Sequence, residues 1–121
     1  MERAQLVYNV SMSSQDGLLG TFEQLVLLAA IRAGDDAYPP RLIELIGEAT
    51  GRDPSRGAVY VTLDRLEGKG LLSSTAVDPG PDRGGRPRRL VAVTGAGVSA
   101  VREARDALGA LWSPLDAYEE R

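Results

Sequence analysis

Four arginines lie close together in the second half of the chain, within seven residues that contain no acid: Arg83, Arg86, Arg88 and Arg89. Guanidinium groups suit phosphate recognition, and the counterions that they displace from a nucleic acid make such binding strongly dependent on salt. The same arginines with their two glycines would also suit an exposed turn of any globular protein. The elements on either side of the cluster therefore decide which interpretation holds.

The formal net charge of the 121-residue chain is −3, which taken alone argues weakly against a nucleic-acid partner. The charge is unevenly distributed, however. Residues 1–51 hold 3 basic and 7 acidic groups, and residues 90–121 hold 3 and 5. Residues 52–89 hold 8 basic and 5 acidic groups, so the one net-positive block contains the arginine cluster.

The composition excludes several kinds of chemistry. The chain has no cysteine and no histidine, which rules out disulfides, thiolate or imidazole zinc sites and histidine-based triads. Its 17 carboxylates form no spaced motif, so we expect no enzyme activity, no catalytic residue, no metal and no cofactor. The longest strongly apolar run, Leu25 to Ile31, is far shorter than the roughly 20 residues of a membrane span. Without a signal-peptide pattern, a cytoplasmic protein with no membrane partner is expected.

The first half of the chain predicts two helices. Residues 1–17 show a faint apolar alternation, which fits a tail or a short strand. From Leu18 the apolar spacing becomes helical, and Gly34 suits the end of that helix. A second helix should follow Tyr38, because Pro39 and Pro40 are tolerated in a first turn, and Gly51 should end it.

A third helix and a hairpin follow. Ser55 or Asp53 should cap the helix, its buried stripe should be Val59, Leu63 and Leu66, and Gly70 should end it. The spacing of apolar residues then changes to a period of two, which predicts strands over Leu71–Val77 and Leu90–Val93. A loop rich in glycine and proline separates them, so the two strands should form a hairpin.

A last helix is predicted after Thr94, its N-cap. Apolar residues in it follow the alternating spacing of a coiled-coil seam: Val101, Ala104, Leu108, Leu111, Leu115 and Tyr118. Pro114 should kink or restart this helix, with Ser113 as a new cap.

Helix, helix, helix and hairpin is the layout of a winged helix-turn-helix. We therefore predict a mainly α fold with a small β-hairpin: residues 1–17 a tail or strand, 18–94 a winged-helix DNA-binding domain, and 95–121 a C-terminal dimerisation helix. In this design the third helix enters the major groove, and the hairpin forms the wing.

The exposed face of the third helix carries groups suited to DNA. Arg56 lies in the first turn, where base edges are reached, Gly57 leaves room for close approach, and Tyr60 offers a hydroxyl. Asp64 would repel phosphate unless it accepts a hydrogen bond from cytosine. Three roles stay open for Arg65: a phosphate contact, an ion pair with a neighbouring acid on the helix, or a tether to the wing.

The chain resembles the PadR family of transcriptional regulators over about Leu18 to Leu108. The segments that carry this resemblance are Leu19-Gly20-Thr21-Phe22-Glu23, Tyr38, Gly57-Ala58-Val59-Tyr60, Leu63-Asp64-Arg65-Leu66-Glu67, Lys69-Gly70-Leu71, Arg83-Gly84-Gly85-Arg86, and Val93-Thr94 with Gly97. It implies a homodimer that represses genes by binding inverted-repeat operators in double-stranded DNA. Some members of the family bind a planar or phenolic effector that weakens the DNA complex.

The resemblance also implies roles for particular residues. The recognition-helix contacts would be Ser55, Arg56, Gly57 and Tyr60, supported by Arg65. The wing would comprise Arg83, Gly84, Gly85, Arg86 and Arg88, and Tyr38 would touch the DNA backbone or the third helix. The dimer interface would comprise Val101, Ala104, Leu108, Leu111, Trp112 and Leu115. Trp112 would either stack on an effector or pack in that interface. Pro39-Pro40 depart from the glycine that usually follows the family's tyrosine, so entry to the second helix would differ.

The alternative is a winged-helix module that binds a protein and not DNA. The overall negative charge and Asp64 on the presumed DNA face favour that alternative.

Overall fold

A computed structural model describes residues 17–78 and 86–118 of the protein. Within these ranges the chain forms four helices and an antiparallel hairpin: α1 (Thr21–Ala33), a 3-10 turn (Gly34–Asp36), α2 (Pro39–Thr50), α3 (Arg56–Gly68), β1 (Leu72–Val77), β2 (Arg88–Val93) and α4 (Gly95–Asp116). The predicted mainly α fold with a small hairpin is confirmed. The tail or strand expected over residues 1–17 lies almost wholly outside the described residues. None of the described helices is long and apolar enough to span a membrane.

The helix ends follow the local sequence. The Ser55 hydroxyl accepts a hydrogen bond from the Ala58 amide at 3.0 Å, so Ser55 is the cap of α3. The predicted caps at Thr94 and Gly51 are also present, the latter in the left-handed conformation at φ 75°. Pro39 and Pro40 are the first two residues of α2, where their missing amide hydrogens cost no helical hydrogen bond.

One hydrophobic core joins the first three helices to the hairpin. The predicted stripe of α3 is fully buried and packs with residues of α1, α2 and the sheet. The largest fully buried side chains are Val26, Leu27, Leu42, Val59, Leu63, Leu66 and Val91. The core therefore fixes α3 and the hairpin relative to each other.

Two backbone contacts attach the hairpin to the helices. The Val91 amide in β2 donates to the Ala37 carbonyl between α1 and α2, at 3.0 Å. The Thr94 amide donates to the Leu71 carbonyl at 3.1 Å, which ties the start of α4 to the start of β1. A Cβ added at Gly97 would collide with that same carbonyl oxygen, so this close approach requires glycine.

Some element boundaries differ from the predictions by one to three residues, and one predicted helix restart is absent. Helix α1 begins at Thr21 and not at Leu18, because the buried Glu23 carboxylate accepts from the Gly20 amide and fixes the start there. Strand β2 begins at Arg88, two residues before the predicted start at Leu90. The predicted restart at Ser113 is wrong, because α4 continues through Pro114. On this exposed helix, water can reach the carbonyl that the proline leaves unpaired.

Candidate nucleic-acid interface

A concave surface opens where the wing, the start of α2 and the first turn of α3 meet. Its volume is about 370 Å³. Arginine and tyrosine side chains dominate its lining, which consists of Tyr38, Pro39, Pro40, Arg56, Tyr60, Arg86, Pro87, Arg88 and Arg89. Cationic groups and phenol hydroxyls are among the donors that protein surfaces use for phosphate oxygens.

The first turn of α3 presents its polar groups outward. Arg56 is exposed, and its guanidinium carbon lies 5.8 Å from the centre of the Tyr60 ring, within the range of a cation–π contact. Gly57 is also exposed, and a Cβ added there would meet no atom within 4 Å. The fold itself does not require glycine at this position, so an outside surface is free to approach the backbone of α3 here.

Two neighbouring arginines of β2 have different partners because successive side chains of a strand point to opposite sides. The Arg88 guanidinium lies 3.6 Å from the centre of the Tyr38 ring, at the start of α2. Arg89 turns instead toward α3, where it forms ion pairs with Asp64 at 3.0 Å and with Glu67 at 2.9 Å. The wing is thus attached to both helices of the helix-turn-helix.

Ser74 joins Arg89, Asp64 and Glu67 in one cluster of four side chains. The Arg89 Nε donates to the Ser74 hydroxyl at 2.9 Å, and that hydroxyl donates to Glu67 at 2.6 Å. The hydrogen bond from Ser74, and then the one from Arg89, lowers the pKa of the Glu67 carboxyl below its ordinary value. Sequence reasoning missed this arrangement, although acids three residues apart on one helix face and a cluster of arginines without acids were its signal.

The structure brings most of the predicted DNA-binding residues to one side of the molecule. Tyr38, Arg56, Tyr60, Arg86 and Arg88 line the concave surface, and Ser55 and Gly57 are exposed on the same turn of α3 as Arg56. Arg83, Gly84 and Gly85 lie outside the described residues.

None of the three roles predicted for Arg65 is supported by a contact within the described part of the protein. Its side chain is exposed and has no ion-pair partner among the described residues. The tether between α3 and the wing is Arg89, and it is Arg89 that pairs with Asp64 and Glu67.

The C-terminal half of α4 exposes large apolar side chains. Leu111 is 81% exposed, and Leu108, Trp112, Leu115 and Tyr118 are each at least half exposed. Two residues predicted for a dimer interface contact the core of the single chain: Ala104 is buried, and Val101 is partly buried against the core. The exposed part of the predicted seam therefore begins at Leu108.

Three helices followed by a hairpin, with a cationic surface at the exposed start of the third helix, define a winged helix-turn-helix protein of the class that regulates transcription. The chain belongs to the PadR-like family of transcriptional regulators, whose family model matches residues 27–103. The resemblance noted from the sequence is thereby confirmed. A comparison with curated proteins gives no match.

Solved structures support the fold. A PadR-like transcription factor from Bacteroides fragilis is 26% identical, with a TM-score of 0.67 over 81% of this chain and 89% of that one. A PadR family regulator from Eggerthella lenta is also 26% identical, with a TM-score of 0.64 over 81% and 80%. The MepR F27L mutant of S. aureus, solved with an oligodeoxyribonucleotide, is 17% identical with a TM-score of 0.58 over 99% and 78%, a likeness of fold.

Proposed function

We propose that the protein is a dimeric, sequence-specific repressor that binds an inverted-repeat operator in double-stranded DNA through α3 and the wing. The observation that carries this proposal is the concave surface on which Tyr38, Arg56, Tyr60, Arg86 and Arg88 converge at the exposed start of α3. MepR, which shares the fold, is a protein solved with bound DNA.

The proposed roles follow from the chemistry and position of each side chain. Arg56 reads a base edge, with guanine as the preferred partner of an arginine in the major groove. The Ser55 and Tyr60 hydroxyls and Arg65 bind phosphates, and Gly57 lets the backbone of α3 come close to DNA.

The wing and Tyr38 complete the proposed surface. Arg86, with Arg83, Gly84 and Gly85 of the wing tip, contacts the flanking DNA backbone. Arg88 and Tyr38 act as one unit because the guanidinium lies against the ring. The ring covers one face of the guanidinium, which leaves the N–H groups in its plane free to point at phosphate.

The proposed dimer uses the distal half of α4. A monomer that exposes Leu108, Leu111, Trp112 and Leu115 on one helix leaves a large apolar stripe in water, and such stripes mark protein interfaces. Residues 18–94 would then be the DNA-binding domain and residues 95–121 the dimerisation helix. A two-fold dimer presents two copies of α3 to half-sites roughly 34–36 Å apart.

Trp112 is the proposed contact for a planar or phenolic effector. Its ring is half exposed next to Leu111 and Leu115 on α4, so a ligand stacked on it would also touch the proposed dimer interface. Such a ligand would change the spacing of the two α3 helices and weaken the DNA complex. As the only tryptophan in the chain, it would report binding by quenching of its fluorescence.

Selection of bound sequences from random duplex DNA, followed by gel shifts across salt concentrations, tests the proposed function. We expect a palindromic site whose binding weakens steeply with salt. Arg56→Ala should relax the preference at one base position of each half-site, whereas Arg86→Ala should weaken binding to all sequences alike. An unchanged preference in Arg56→Ala would refute the recognition role, and the absence of any enriched site would refute the function.

The alternative, a module that binds protein and not DNA, was favoured by the net charge of −3 and by Asp64 on the presumed DNA face. The Asp64 carboxylate lies 3.0 Å from the Arg89 guanidinium. This ion pair weakens one of the two features that favour the alternative, because the negative charge of Asp64 is offset within the protein.

A further inference from the structure

Arg89 belongs to the arginine cluster of the wing, yet its guanidinium is bound by three side chains of the protein itself. Its guanidinium uses each of its three nitrogens: Nε for Ser74, one terminal nitrogen for Asp64, and the other for Glu67. The side chain is only 23% exposed. A guanidinium held in this way has few donors left for a phosphate.

We infer that Arg89 is a positioning residue that holds the wing on α3 and neutralises Asp64 and Glu67, and that it is not itself a DNA contact. The inference rests on the proposed DNA binding. It gives Arg89 and Arg86 different roles. Arg86 is exposed and has no ion-pair partner among the described residues, so it is free to contact DNA.

Arg89 offsets the charge of two acids on the helix proposed to bind DNA. Asp64 and Glu67 are one turn apart on α3, the helix proposed to enter the groove, and Asp64 is 72% exposed. Two unpaired carboxylates on that helix would repel the phosphates on either side of the groove. An arginine between them offsets this repulsion, and its three nitrogens are taken up by the two acids and Ser74.

The strand register also lets Arg89 hold the wing in position. Arg89 stands opposite Ala76 in the hairpin, so its contacts reach from β2 across to Ser74 in β1 and to α3. The guanidinium thus joins both wing strands to the proposed recognition helix. Its planar, forked geometry fixes the relative orientation of these elements better than a single ammonium group would.

A double-mutant cycle on operator affinity tests this inference. Arg89→Ala is measured in the wild-type background and again in the Asp64→Asn, Glu67→Gln background, with circular dichroism to establish that every variant is folded. Arg86→Ala is the matched control in both backgrounds. We expect Arg89→Ala to weaken operator binding by about tenfold in the wild-type background, because two like charges then face the phosphates.

The loss caused by Arg89→Ala should shrink to less than about threefold once the carboxylates are gone, since there is then nothing left to neutralise. The loss from Arg86→Ala should be the same in both backgrounds. An equal loss from Arg89→Ala in both backgrounds would overturn the inference, because a direct phosphate contact does not depend on the two acids. Failure of the wild-type protein to bind any DNA sequence specifically would instead overturn the proposed function and, with it, this inference.

Discussion

The Lys69 ammonium donates to the Glu23 carboxylate at 2.9 Å and so joins the end of α3 to the first turn of α1. The Glu23 side chain is 5% exposed, and its other oxygen accepts from the Gly20 amide. The pair connects residues 46 positions apart in the chain. It therefore acts on tertiary structure, because it joins two different helices.

Lys69→Met should lower the free energy of unfolding by about 2 kcal/mol, because it leaves a buried carboxylate without its cation. The double variant with Glu23→Gln should lose less than the sum of the two single variants. Urea unfolding measures both, with Arg41→Ala as a control that removes an exposed ion pair with Glu44. If Lys69→Met were as stable as that control, the Glu23 contact would not matter for the fold.

Gly97→Ala should destabilise the fold by about 2 kcal/mol or more, because the new methyl group overpacks the site. It would collide with the Leu71 carbonyl oxygen and with a methyl group of Val93, and the backbone oxygen has little freedom to move. Thermal unfolding of the purified variant measures the loss. Unchanged stability would mean that α4 does not approach the α3–β1 turn so closely.

Gly57→Ala should stabilise the fold and yet weaken DNA binding. Unlike the methyl group at position 97, the one at position 57 would meet only solvent. Higher helix propensity should raise the free energy of unfolding by up to about 1 kcal/mol. Operator affinity should nevertheless fall by about tenfold if the backbone of α3 approaches DNA at this position. Fluorescence anisotropy with a labelled operator measures the affinity. Full affinity in a stabilised variant would exclude close approach there.

The contribution of Glu67 to stability should depend on pH in a defined direction. The Ser74 and Arg89 hydrogen bonds lower its pKa in the folded protein below the ordinary value of 4.5. The folded state therefore gains stability above that value and loses it as the pH falls through the lowered pKa. The difference in melting temperature between wild type and Glu67→Gln should be present at neutral pH and vanish in acid. A difference that grows in acid would contradict the assignment.

Leu111→Glu should convert the proposed dimer into a monomer without unfolding it, because the side chain is 81% exposed in the single chain. A carboxylate in an apolar interface has a large desolvation cost. Sedimentation velocity over a range of concentrations measures the change. Arg102→Glu places the same charge at an exposed position on the same helix and should remain dimeric. A wild-type chain that is monomeric at all concentrations would refute the interface.

Local patterns predicted the elements of this fold more completely than the contacts between them. Apolar spacing and the glycines at 34, 51 and 70 located the first three helices because helix stripes and helix ends depend on nearby residues. The partners of Lys69, Arg88 and Arg89 could not be read in the same way. Each lies on another element, so packing of the whole core decides which of several available charges or rings comes within reach.

The hydrogen bond from the Val91 amide to the Ala37 carbonyl has a consequence for hydrogen exchange. Unpairing of the two wing strands alone leaves this amide bonded, because its acceptor lies between α1 and α2. The Val91 amide can therefore exchange with deuterium only when β2 separates from the segment between α1 and α2. Its protection factor would measure how often the whole wing detaches, whereas amides that donate across the hairpin would report fraying of the strands.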